Sequence, residues 1–211
     1  LLRRVLAAAG PAIQIRERDL SSGDLVSLVR EVHTVTAPHR SPLLINDRID
    51  VALGLEGVGV HLRSNSLPVR IARMLLGAER LLGVSVHTSE EAVRAESQGA
   101  DYVILGPIYE TPSKQAFGPP LGIHTLEKVC RLVDIPIIGI GGVTAARASE
   151  MLGAGAFGVA VIRAILGAAD VESAPGPQIE VPAEARSGGG RHRYDIIDGT
   201  VALAKAPALF A

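Results

Sequence analysis

The chain is poor in the residues that would point to several classes of protein. One cysteine, Cys130, among 211 residues rules out an internal disulfide and fits a reducing compartment, so a cytoplasmic location is expected. Tryptophan is absent and aromatics make up only 3%. The core must then be built from Val, Ile, Leu and Ala, the composition of buried parallel strands. No charge of one sign predominates. The formal net charge of −1 carries no whole-chain signal for nucleic acid or for a membrane surface, and neither is expected as a partner. No apolar run approaches the roughly 20 residues of a membrane span, and no signal peptide is visible. The chain opens with Leu1 rather than Met, and a missing start is part of the expectation. Against these absences stand 47% hydrophobic and 20% charged residues, enough for the core of one larger domain.

Strand-like and helix-like segments alternate along the chain. Leu1–Gly10 reads as a helix closed by Gly10-Pro11, and Ala12–Arg18 as a strand. Ser21–His39 has Leu25, Leu28, Val29 and Val32 at helical spacing, with Ser21 or Ser22 as N-cap. Further strands are expected at Pro42–Asp47, Gly59–Leu62, Leu81–His87, Tyr102–Tyr109, Pro136–Gly142 and Gly158–Ile162. The helices between and after them are expected at Arg48–Glu56, Pro68–Gly77, Thr88–Gly99, Leu126–Val133, Ala145–Gly153 and Arg163–Ala169. Seven strands with helical crossovers predict an α/β fold, a (β/α)8 TIM barrel lacking strand 1. A doubly wound open sheet is the alternative. Such a barrel has two unpaired edges, and a homo-oligomer is one expectation from it. Residues 1–170 form the expected barrel domain. Residues 171–211, rich in Pro, Gly and Ser, read as an irregular or disordered tail. A weak hairpin signal around Asp198-Gly199 offers a way to patch the gap.

In a barrel the C-terminal strand ends share one face, where such enzymes act, and polar residues collect there. Gln14, Arg16 and Arg18 alternate with Ile13 and Ile15, placing an amide and two guanidiniums on one strand face. Like charges side by side call for an anion over them, and a diphosphate suits two guanidinium forks; a solvated edge strand is the competing reading. Asn46 and Asp47 end the next strand. They read as an anion donor and a hard oxygen ligand for Mg²⁺, or as caps for the helix that follows. His61 and His87 read as hydrogen-bonded residues near the core, and Ser85 as a polar group at a strand end. Thr111, Ser113 and Lys114 lie in a long loop able to close over a ligand. Gly141-Gly142 and the helix start at Ile162 and Arg163 form a second expected anion site. Cys130 reads as an inert packing residue.

These runs resemble a known family. Gln14-Ile-Arg16-Glu-Arg18, Ile45-Asn46-Asp47-Arg48, Gly59-Val-His61-Leu, Gly83-Val-Ser85-Val-His87-Thr, Gly106-Pro-Ile-Tyr-Glu-Thr111-Pro-Ser-Lys114, Gly139-Ile-Gly-Gly142 and Gly153–Val161 are similar to the thiamine phosphate synthase and thiazole tautomerase superfamily. The resemblance implies a transferase that joins a phosphorylated pyrimidine to a phosphorylated thiazole and releases diphosphate with the help of Mg²⁺. Mapped residue by residue, Gln14, Arg16, Arg18, Asn46 and Lys114 would hold the diphosphate and Asp47 the metal. Ser85, Thr111 and Ser113 would line the substrate site. Gly142, Ile162 and Arg163 would hold the thiazole phosphate, and Arg16, Lys114 and Ser85 would carry catalysis. The chain departs from the pattern at several points. Arg18 stands where synthases have Lys. Ser66 stands where they carry a second metal-binding aspartate, which should lower metal affinity. Pro107 stands where the tautomerase pattern has its catalytic His. A tautomerase and a non-catalytic phosphate-binding paralogue are the rival expectations.

Overall fold

A computed structural model describes residues 12–111, 119–161 and 200–203. Seven strands run parallel in chain order: β1 (Ala12–Ile15), β2 (Leu43–Asn46), β3 (Val58–Leu62), β4 (Leu82–Val86), β5 (Tyr102–Leu105), β6 (Ile137–Ile140) and β7 (Gly158–Val161). Between them lie α1 (Ser22–Thr36), α2 (Ile49–Leu53), α3 (Val69–Leu76), α4 (Ser89–Ser97), α5 (Ile123–Leu132) and α6 (Ala145–Gly153). This is the expected α/β TIM-like barrel lacking one parallel strand, and the open-sheet alternative falls.

The gap is closed by β8 (Thr200–Leu203), which runs antiparallel to both β1 and β7. Ile13 registers with Ala202, and Ala160 with Leu203. Four residues of the stretch expected as a loose tail thus occupy the place of the missing strand, and the edges expected to be bare are paired. The driving force is the row of unsatisfied N–H and C=O groups that two sheet edges would otherwise bury. The helix expected at Leu1–Gly10 and the one expected at Arg163–Ala169 lie outside the described residues.

Local signals set the helix starts. The Ser21 hydroxyl accepts the Asp24 N–H at 3.2 Å, Thr88 that of Glu91 at 3.1 Å, and Thr144 that of Arg147 at 3.3 Å, each satisfying a donor with no partner inside its helix. Several boundaries differ from expectation, for local reasons. The first strand stops at Ile15, where its pairing with β8 ends and an exposed Arg16–Leu20 stretch begins. Asp47 has φ 60° and leaves the sheet. The fifth strand ends at Leu105 because Pro107 offers no N–H to continue it.

Strand side chains such as Ile13, Leu43, Leu44, Ile45, Leu62, Leu82 and Leu105 are fully buried, as a parallel sheet covered on its outer face requires. The opposite end of the barrel, at the strand starts, is tied by arginines. Arg73 donates to the carbonyls of Gly99, Gly77 and Arg80 at 2.8–2.9 Å and to Asp101 at 2.6 Å. Asp101 also accepts the Leu82 N–H at 2.6 Å. Arg73→Ala strips partners from three carbonyls and a carboxylate, so it is expected to cost about 2–3 kcal/mol and lower the Tm by about 5–10 °C. A thermal melt checks this.

Candidate active site

The parallel strands bring their C-terminal ends to one end of the barrel, and a hydrogen-bonded chain runs across the β1, β2 and β3 ends. Gln14, which registers with Leu44 two residues before Asn46, donates from Nε2 to Asn46 Oδ1 at 3.0 Å. Asn46 Nδ2 donates to Asp47 Oδ2 at 3.1 Å. Asp47 Oδ1 accepts the Arg63 backbone N–H at 2.9 Å, and Arg63 Nε bonds Asp47 Oδ2. The Ser66 hydroxyl bonds the same carboxylate. Burial alone would push the Asp47 carboxyl up, but the donors from Arg63 and Ser66 outweigh it and hold the group below its ordinary value.

The left-handed backbone at Asp47 turns its side chain toward the β3–α3 loop; an aspartate tolerates that conformation better than most residues. Asp47 does not cap the next helix. The N-cap of α2 is Arg48, with no side-chain cap bond, so the capping reading of Asn46 and Asp47 is corrected.

Arg16 and Arg18 lie beyond the strand, in the exposed loop after it. The expectation that they share a strand face with Gln14 is therefore corrected. Arg16 nonetheless stays within the electrostatic reach of Arg18, Arg63 and Asp47. Partial burial and the charges of Arg18 and Arg63 push the Arg16 guanidinium down from its ordinary value, while Asp47 pulls it up. Arg16 therefore feels two neighbouring guanidiniums and the Asp47 carboxylate, which is itself paired with Arg63. Gln14 is only 2% exposed, and its Oε1 has no partner among the described residues; its amide braces Asn46 from below.

Next to this chain lies a second network. His61 is buried, its Nε2 2.9 Å from Ser85 Oγ and its Nδ1 3.0 Å from Tyr102 OH. Its ring stacks on Tyr102, with centroids 5.6 Å apart. Burial drives its pKa down to about 3, so the imidazole is neutral and holds one proton between the two partners. The stack needs Gly83, since a Cβ there would come within 2.0 Å of Tyr102 Cζ. His87, bonded through Nδ1 to the Gly106 carbonyl, is likewise structural, as expected.

At the β6 end Gly142 has φ 63°, and a Cβ on it would sit 2.6 Å from the Glu110 carbonyl. Arg147 Nη1 donates to the Gly142 carbonyl at 2.8 Å and stacks over Tyr109, 4.6 Å from its ring centroid; the Tyr109 hydroxyl bonds Glu150. Thr111 is half-buried beyond the β5 end. Ser113, Lys114, Ile162 and Arg163 lie outside the described residues.

Arg63 heads the polar Arg63-Ser-Asn-Ser66 run after the β3 end but was assigned no role from the sequence. It follows β3 directly, so the strand-end rule that flagged Arg16 and Asn46 applied to it equally. Among the described residues no three His, Cys, Asp or Glu side chains gather as a metal-ion cluster, and no helix is long and apolar enough to cross a membrane.

The family model described as thiamine monophosphate synthase matches residues 1–165. A thiamine-phosphate synthase of Moorella thermoacetica is 44% identical over 186 residues, 88% of this chain and 89% of the relative. One from Roseiflexus sp. is 42% identical over 174 residues, 82% of this chain and 74% of the relative. The solved structure of a thiamine phosphate pyrophosphorylase from Pyrococcus furiosus superimposes with a TM-score of 0.73 at 32% identity, covering 82% of this chain and 83% of that one.

Proposed function

This chain belongs to the thiamine monophosphate synthase family, and we propose that the mouth formed by the β1–β3 ends is where it takes a pyrimidine diphosphate apart. The protein is a transferase: it joins a hydroxymethylpyrimidine diphosphate to a thiazole phosphate and releases diphosphate. Its small-molecule substrates are phosphorylated heterocycles. The isomerase alternative has no support from the relatives, which carry the synthase name, and Pro107 stands where that chemistry would need a histidine. The non-catalytic alternative is weakened by the retention of Arg16, Asn46 and Asp47 in one connected cluster.

The proposed reaction breaks the bond between the pyrimidine methylene and the diphosphate oxygen, and the electron pair leaves with the diphosphate. The pyrimidine ring delocalises the resulting positive charge, and the thiazole nitrogen lone pair then forms the new C–N bond. The chain's task is to stabilise charge growing on the leaving oxygens and to hold two rings in line. Arg16 and Arg18 suit the first task, because each is a planar fork and their mutual repulsion is relieved by an anion. Asn46, fixed by Gln14, presents a polar rim beside them. Ser85, fixed by neutral His61, would line the pyrimidine. Gly142 would let the backbone approach the thiazole phosphate, with Ile162 and Arg163 as further proposed contacts. Ser113 and Lys114 would complete the diphosphate side. The lone cysteine supports a cytoplasmic setting.

One observation carries this reading: Arg63 is paired with Asp47 beside Asn46, and Arg16 lies within the electrostatic reach of Arg18, Arg63 and Asp47 at the same barrel end. Incubating the protein with both heterocycles and detecting the joined product by mass tests it. The expected result is a product whose mass is that of the two substrates less diphosphate, and its absence with either order of addition would overturn the reading.

A further inference from the structure

The family resemblance implies Mg²⁺ on Asp47 and a second aspartate. The residues present do not fit that ion. Ser66 replaces the second carboxylate. A carboxylate has about four lone-pair positions, and four donors already point at Asp47: the Arg63 N–H, Arg63 Nε, Asn46 Nδ2 and the Ser66 hydroxyl. A dication here would have to displace a guanidinium from its ion pair and then sit beside it and Arg16.

We propose that the Arg63 guanidinium replaces the metal, so that this protein binds and releases diphosphate without a divalent cation. The inference rests on the transferase reading above. Arg63 is anchored at its Nε by Asp47. Among the described residues its two Nη groups have no partner, and its side chain stays 44% exposed. The exposed planar fork thus keeps its outer N–H edge available, the edge that can take two phosphate oxygens at once. Asp47 changes role with it. Instead of coordinating a cation from solution, it holds a permanent one in place and offsets part of the repulsion among three arginines. Those three guanidiniums and one carboxylate leave a net charge of two positive at the mouth, matching a highly charged anion. Unlike a dissociable ion, this cation is present at every magnesium concentration. A developing negative charge on the departing diphosphate meets fixed donors with no need to recruit a counter-ion.

Calorimetric titration of the whole protein with inorganic diphosphate tests the proposal. The expected result is binding in excess EDTA as tight as in excess Mg²⁺ or tighter, weakened about tenfold or more by Arg63→Gln, since a charged donor pair is lost. In a double variant, Arg63→Gly with Ser66→Asp, the guanidinium is gone and a second carboxylate present, so binding should become Mg²⁺-dependent. Wild-type binding that requires Mg²⁺, or an Arg63→Gln variant that binds as well as wild type, would overturn it. Assays for joined product in EDTA separate the two levels. Product formed only with Mg²⁺ refutes the metal-free inference and keeps the transferase. Tight diphosphate binding in EDTA with no product under either condition keeps the arginine site and refutes the transferase reading.

Discussion

Arg16→Ala is expected to slow formation of the joined product by about 10²-fold or more while leaving the Tm unchanged or slightly raised. The rate loss follows from removing one preorganised donor aimed at a developing oxyanion, which costs about 10²–10³ in enzymes where it has been removed. The stability forecast comes from the same geometry. Arg16 is past the end of β1 on an exposed loop, so no ladder hydrogen bond depends on its side chain. Partial burial and the charges of Arg18 and Arg63 already disfavour its charged form in the folded protein. Deleting it relieves repulsion that only a bound anion otherwise relieves. Stability and function therefore pull in opposite directions at this residue, as they do where a site is built around a missing partner. Initial rates and thermal melts on the same samples check both halves. An unchanged rate, or a rate that falls only in step with unfolding, would refute the assignment.

The second large effect is a loss of stability in mild acid that traces to His61. Its folded-state pKa is depressed by burial to about 3, against an ordinary value of 6.5. Above pH 6.5 the residue is neutral in folded and unfolded chains alike, and its protonation contributes nothing. Between 6.5 and about 3 the unfolded chain binds a proton that the folded chain refuses. Stability therefore falls as pH falls, by about 1.4 kcal/mol per unit, or about 2–3 kcal/mol by pH 4.5. In His61→Gln the amide keeps a donor and an acceptor for Ser85 and Tyr102 but takes up no proton, so this part of the acid limb should vanish. Denaturant melts at pH 6.5 and 4.5 on both proteins measure it. Equal losses in wild type and variant would show that His61 is not the cause.

Barrel architecture was legible in the sequence because aliphatic runs separated by helical periods admit few topologies, and all seven parallel strands fall where those runs stand. Strand ends were harder to place. Arg16 and Arg18 continue the alternation of Ile13 and Ile15, yet alternation alone cannot register that the β8 partner stops at Thr200. Asp47 looked equally suited to capping and to the mouth; its left-handed backbone decides this, and no propensity announces it. β8 was only a faint hairpin signal, since a four-residue closing strand is selected by the two edges it satisfies and not by its own composition. Gln14 was grouped with the arginines by spacing, whereas burial makes it a brace for Asn46. Arg63 was hidden by a motif. With attention on the aspartate missing at Ser66, the guanidinium three residues earlier was left without a role.

The account depends on a single pole of positive charge at the β1–β3 ends, and a crystal structure of the protein with inorganic diphosphate tests it most directly. The predicted result is one anion seated among Arg16, Arg18 and Arg63, beside the Asn46 amide, with Asp47 still paired to Arg63. Diphosphate bound only at Gly142 on the far strand ends, with the three guanidiniums untouched, would contradict it.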